Sequence, residues 1–247
     1  MTPPAPSPAP ASGYPRAGVL FLHEVHRVVG GRGRDFERVV RDGLRPALAE
    51  ADGRLLWYFH LAHGTGASYT VVTVTGFAAA QAWHDTALRM LRGDLRDLAT
   101  ELDRFRHHVT GKLLVPTPWS PRQEVDFAEV DAAPPEHEPS LYMEDTGWPF
   151  HGRLEDYTRA LGEWYEPMTR AGRLIQVEAF LQPAYGAGRR PEVVLLQKLG
   201  DQSQLLRLLT HEEPESYPED SWMTRALTLR DQWGSRLLRT APWSPLW

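Results

Sequence analysis

Ten histidines, 32 carboxylates and no cysteine define the chemistry open to this 247-residue chain. Without a thiol there is no disulfide, thiolate metal site or cysteine nucleophile. A base, nucleophile or ligand must therefore come from His, Tyr, Ser, Thr, Asp or Glu. Two segments place such residues on strands. In LFLHEVHRV, the period of two puts Leu20, Leu22, Glu24 and His26 on one face. In LLWYFHLA, it groups Leu56, Tyr58, His60 and Ala62. Two imidazoles, a carboxylate and a phenol on a shared face are costly to bury unless satisfied, so the space between this sheet and its helices is the candidate pocket. There His26 or His60 would act as general base, with Glu24 orienting its partner. Trp83-His84-Asp85 opens a helix, where the dipole disfavours the imidazolium and keeps His84 neutral as a further hydrogen-bonding group. Tyr58 and Trp83 would grip a flat apolar ligand.

The opposite face carries Phe21, His23, Trp57, Phe59, Thr73 and Thr75 from the first half of the chain. From the second half it carries Tyr142, Glu144, Leu174, Gln176, Glu178, Leu195 and Gln197. His23 opposite Glu144 or Glu178 reads as a hydrogen-bonded seam between two sheets. Trp57, Phe59 and His23 are the further candidates for substrate contact. Glu24, His26 and His60 form the single grouping that resembles a two-histidine, one-carboxylate iron site. The pairs His23/His26 and His60/His63 are three apart on strands and diverge, and no HxxxH or HExxH occurs, so no metal is expected. No GxGxxG follows a strand and no GxSxG is present, which argues against a tightly held dinucleotide and a serine-hydrolase elbow.

The framework carrying these residues is repeated. Lys112-Leu113-Leu114 with Pro118-Trp119-Ser120-Pro121 recurs as Arg236-Leu237-Leu238 with Pro242-Trp243-Ser244-Pro245, displaced by 124 positions. Upstream, Leu20-Phe21-Leu22 matches Leu141-Tyr142-Met143, Gly53–Leu56 matches Gly172–Ile175, and Val71-Val72 matches Val193-Val194, at displacements of 121, 119 and 122. In the first half, periodicity predicts strands at 19–28, 55–62, 69–75 and 111–115. Helices fall at 35–50, kinked or shortened by Pro46, and at 77–108 with a break near Gly93. The second half follows with strands at 141–146, 173–181, 192–198 and 236–240. Its helices span 154–170 and 201–234, the latter interrupted by a loop at 212–220. Ile175, Val177, Ala179, Leu181, Val194 and Leu196 are read as its helix-packing face. His107 and His108 fall on a helix and His137 in a linker. The fold class is α+β: two tandem ferredoxin-like βαββαβ repeats, 17–121 and 140–247, forming a pseudo-dimeric α/β barrel. An acidic linker at 122–139 joins them, and a Pro/Ala-rich segment at 1–16 is expected to be disordered.

Composition excludes two function classes. Twenty-seven basic against 32 acidic residues, a net charge of −5, offer no general attraction to nucleic acid. No apolar run approaches the ~18 residues of a membrane span, and the start lacks a secretion signal, so a cytoplasmic location is expected.

The βαββαβ order, the Trp83-His84 helix start after the third strand, and the L-L-x-x-x-P-W-S-P endings resemble the NIPSNAP-type branch of the dimeric α/β-barrel superfamily, which includes antibiotic-biosynthesis monooxygenases. Among tandem members, the chain is similar to oxygenases that open the B ring of angucyclines. The resemblance implies an oxygenase tailoring an aromatic polyketide, with a polycyclic phenol or hydroquinone as substrate and dioxygen as co-substrate. It further implies reduced flavin supplied by a separate reductase, and no tightly bound cofactor. A non-oxidative cyclase or isomerase and a non-catalytic ligand-binding or interaction protein are the alternatives. Whether the halves pair within one chain or across a homodimer is left open.

Overall fold

Alternating apolar residues build an eight-stranded barrel in the computed structural model, which describes residues 19–172, 175–200 and 221–247. The first half supplies β1 (Leu20–Val28), β2 (Gly53–Leu61), β3 (Thr70–Phe77) and β4 (Arg106–Pro116). The second supplies β5 (Leu141–Pro149), β6 (Ile175–Pro183), β7 (Val193–Leu199) and β8 (Arg230–Thr240). The order around the barrel is β1-β3-β2-β8-β5-β7-β6-β4, closing on β1. All pairs are antiparallel, and the halves meet at β2·β8 and β4·β6, so one chain closes the barrel that two ferredoxin-like sheets make. The expectations for residues 1–16, for Leu174 and for the 201–220 helix and loop lie outside the described residues.

The helices lie outside the barrel. Residues 33–49 run as α1 (Gly33–Val39), a π turn (Val40–Leu44) and α2 (Arg45–Ala49), with Phe36, Val39, Val40 and Leu48 buried against the sheet. Pro46 breaks nothing. It lacks an N–H and its ring would strike the carbonyl four residues back, but the turn ahead of it is widened, with the Arg45 N–H bonding the Val40 carbonyl. The second half repeats the device in α5 (Leu154–Ala160), a π turn (Leu161–Tyr165) and α6 (Glu166–Gly172), ahead of Pro167. The predicted 77–108 helix is two, α3 (Ala80–Arg92) and α4 (Arg96–Arg104), followed directly by β4. His107 and His108 therefore belong to a strand. Likewise α7 (Trp222–Leu227) is short and residues 230–234 extend β8. In both cases a strand rich in charged, exposed residues mimics the surface of a helix.

The repeated P-W-S-P motifs are clasps exchanged between halves. Ser120 Oγ accepts the Phe180 N–H of the second half at 3.0 Å, and Ser244 Oγ accepts the Tyr58 N–H of the first half at 3.0 Å. The tryptophans follow suit. Trp243 packs on Tyr58, and a side chain at Gly162 would collide with Trp119. The linker is likewise structural: Val125, Phe127 and Val130 pack against the apolar end of the barrel interior.

Candidate active site

The predicted face exists except at Leu56, the bulge residue, which turns into the barrel. On the helix side of the first sheet, Glu24, Thr73 and Tyr58 lie in one cross-strand row, and His26, Val71 and His60 in the next. That row separates the two imidazoles by two strand spacings, ~9–10 Å between backbones. Among the described residues no group of three His, Asp or Glu stands close enough for a metal. His26 is committed at both nitrogens: Arg106 Nη1 lies 3.0 Å from Nδ1 and Thr73 Oγ1 3.0 Å from Nε2. The guanidinium can only donate, so Nδ1 accepts and Nε2 donates. Burial, reinforced by Arg106 and His23, pushes its pKa down to about 3. It is a neutral structural imidazole with no lone pair to spare. Burial raises the pKa of Glu24 against the pull of Arg106 and His23.

His60 stands apart from this group, with Nε2 3.3 Å from Glu37 Oε2, and Glu37 also accepts from Trp243 Nε1 at 2.6 Å. His84 is on the surface beside Asp85, its side chain 55% exposed, and Trp83 packs on the flanking core. Tyr58, Trp57 and Phe59 are wholly buried. Trp57 and Phe59 fill the barrel interior against Tyr142, and Tyr58 fills the space under the helices. These aromatics are packed core, so the pocket expected here is occupied by side chains.

The assignment of faces fails at two β-bulges. Leu56 and Glu178 are the extra residues where the β2/β3 and β6/β7 registers shift, and a bulge reverses alternation beyond it. Ile175 and Val177 do face the helices, but Ala179, Leu181, Val194 and Leu196 turn into the barrel. Conversely Thr73, Thr75, Leu195 and Gln197, expected inside, lie on the helix side: Thr73 bonds His26 and Gln197 accepts from Tyr165 at 2.5 Å. The registers also match Gly53 with Ile175 rather than Gly172, a three-residue slip that inverts every side chain.

The interior is apolar at the linker end and polar at the other. There a cleft of about 410 Å³ opens between β1, β4, β5 and β8. His23 of β1 and Glu144 of β5, strands opposite each other in the barrel order, meet across it with Nε2 to Oε2 at 2.8 Å. Both are buried, 2% and 4% exposed. Burial alone would raise the pKa of Glu144, but His23 and Arg236 outweigh it and hold the carboxyl down at about 2. Arg236 donates to the other carboxylate oxygen. His23 Nδ1 is buried without a partner. The seam expected between His23 and Glu144 is thus present. Arg236 and Lys112 were visible only as the basic residue heading each repeated K/R-L-L motif. Trp148, also in the lining, gave no signal.

No family model and no curated protein matches the sequence. Among solved structures, a putative monooxygenase from Lactobacillus acidophilus NCFM aligns with 93% of this chain and 97% of its own, at TM-score 0.57 and 9% identity. A putative monooxygenase from Fusobacterium nucleatum covers 91% and 93%, at TM-score 0.61 and 8% identity. An anthrone oxidase-like protein covers 92% and 93%, at TM-score 0.51 and 6% identity. At such identities the likeness shows the fold, an α/β barrel of the dimeric type, spanning both halves of this chain.

Proposed function

We propose that the protein is an oxygenase that takes a proton from an activated aromatic substrate and lets dioxygen react with the resulting carbanion, with the cleft at the barrel mouth as its active site. The observation that carries this reading is the Glu144–His23 pair. Glu144 fixes the imidazole through Nε2, and Nδ1, which has no partner, is the atom assigned to take the proton. Arg236 keeps Glu144 ionised and, at the cleft wall, lends positive charge to a developing phenolate. This moves the base from His26, which is committed at both nitrogens, and from His60, which does not line the cleft, to His23.

The fitting substrate class is a flat polycyclic phenol with an acidic ring methylene, as aromatic polyketides provide. The step balances without further reagents. His23 takes one methylene proton, dioxygen adds to the carbanion, and return of the proton gives a hydroperoxide. Loss of water then leaves the ketone. The ring methylene and one dioxygen thus become a ring carbonyl and one water, with the methylene carbon oxidised and dioxygen reduced. Hydroxylation or ring opening would instead need two more electrons, as from reduced flavin made by a separate reductase. The likeness to structures described as monooxygenase and anthrone oxidase-like favours oxidation over a cyclase using the same base.

Oxygen uptake with anthrone as substrate tests the reading. Wild type should consume oxygen and form the quinone without added flavin, and His23→Gln should lower the rate by ~10²-fold or more. Turnover by the variant at the wild-type rate would overturn the assignment of the base, and product without oxygen uptake would establish the cyclase.

A further inference from the structure

We infer that Trp148 is the wall of the cleft that selects a flat aromatic ring, and that Glu192 is the residue that positions it. This rests on the cleft being the active site and adds the part of it that recognises the ring.

Trp148 lines the cleft near the end of β5. Its indole N–H donates to Glu192 Oε2 at 3.0 Å, and Lys112 Nζ donates to Glu192 Oε1 at 2.5 Å. Glu192 is 2% exposed, so its charge is tolerated only while both partners hold it. The ring's orientation is therefore coupled to an ion pair that spans the two halves. A tryptophan needing only a partner for its N–H could have used water at this partly open site. Tying it to a buried carboxylate fixes the plane of the ring. Arg189, which is not part of the cleft lining, lies over the indole at 5.0 Å from its centroid.

The floor in front of the ring is kept clear. A Cβ at Gly234 would stand 3.5 Å and 3.8 Å from the Trp148 ring carbons Cη2 and Cζ3. The matching position of the first half is Thr110, and that of Trp148 is Arg27, which turns to Ala67 and Thr70 instead. Only one wall is aromatic. A cleft of about 410 Å³ is of the size that small-molecule sites take, and a fixed indole favours a planar partner.

Calorimetric titration of the full chain with 1-naphthol, without oxygen so that no turnover intervenes, tests this. Wild type should bind; Trp148→Leu and Gly234→Thr should each weaken binding by about tenfold or more. Glu192→Gln keeps an acceptor for the indole and should bind near the wild-type level, whereas Glu192→Leu should match Trp148→Leu. Gly234→Thr removes no hydrogen bond, so it decides the matter even if a Glu192 variant fails to fold. No binding by wild type up to the solubility limit, or unchanged binding in Trp148→Leu and Gly234→Thr, overturns the inference. Oxygen uptake by the wild type separates the two proposals: if it binds 1-naphthol in a Trp148-dependent way but consumes no oxygen with anthrone, the oxygenase reading falls while the wall stands.

Discussion

The two halves share one backbone plan and differ around the cleft between them. Around the cleft, His23 matches Glu144, Lys112 matches Arg236, Thr110 matches Gly234 and Arg27 matches Trp148. In a symmetric dimer the positions of His23 and Glu144, which meet across the cleft, would each face their own copy. His23 would meet histidine and Glu144 would meet a second carboxylate at hydrogen-bond distance, where two like charges cannot both persist. Joining the halves in one chain frees the equivalent positions to diverge, and an acid–base pair then becomes possible on the axis. The proposed chemistry thus belongs to the seam between repeats rather than to either repeat.

Restoring symmetry at the seam should have the largest effect. His23→Glu places two carboxylates together and should cost about 3–5 kcal/mol in urea unfolding. The exchange His23→Glu with Glu144→His rebuilds the pair in reverse, with Lys112 beside the new carboxylate, and should recover more than half of that loss. If the exchange is no better than the single variant, the pairing is not what the axis requires.

Next in size is a contrast between neighbours on β5. Glu144 is held down at about 2, so its contribution to stability is full above the ordinary value of 4.5 and is lost as pH falls toward 2. Asp145, on the other face, is raised by burial to about 6, against hydrogen bonds from Ser235 and Gln197 and the charge of Arg230. The folded state then holds a proton that the unfolded chain releases near 3.8, so Asp145 lowers stability as pH rises toward 6. Between pH 4 and 6, Asp145→Asn should gain on wild type by about 1 kcal/mol per pH unit. A constant difference across that window would show that Asp145 is ionised throughout.

The clasps test where the halves remain alike. Ser120→Ala and Ser244→Ala each leave a buried backbone N–H unpaired, and each should cost about 1–3 kcal/mol by thermal or urea unfolding. Clearly unequal costs would mean that the two joins are not equivalent. Smallest of all, His84→Ala should change stability by less than about 0.5 kcal/mol and leave oxygen uptake intact, because its side chain is in water.

Much of the fold was legible because the signals are local. Period-two runs marked β1 and β2, helical spacing marked the α1–α2 stretch, and the Lys112/Arg236 and P-W-S-P repeats announced the duplication. That Glu24, His26, Tyr58 and His60 share a face followed from alternation, since no bulge intervenes among them. What failed depended on partners far along the chain. His107 and His108 looked helical until β4 paired with β1, and Thr73, Thr75, Leu195 and Gln197 took the wrong side because only the pairing of β3 with β1 and of β7 with β5 decides which of their faces is outside. The role of the candidate residues was hidden for the same cause. Arg106, brought to His26 by β4, occupies its lone pair, and helix side chains fill the space beside Tyr58.

Element order, duplication and the absence of cysteine chemistry could all be read from the chain before it folds, because they are written in residue types and short spacings. The site could not. His23 and Glu144 are 121 residues apart, and only the closing of the barrel brings them within a hydrogen bond. Alternation says which face a side chain takes, but strand pairing decides what stands opposite it.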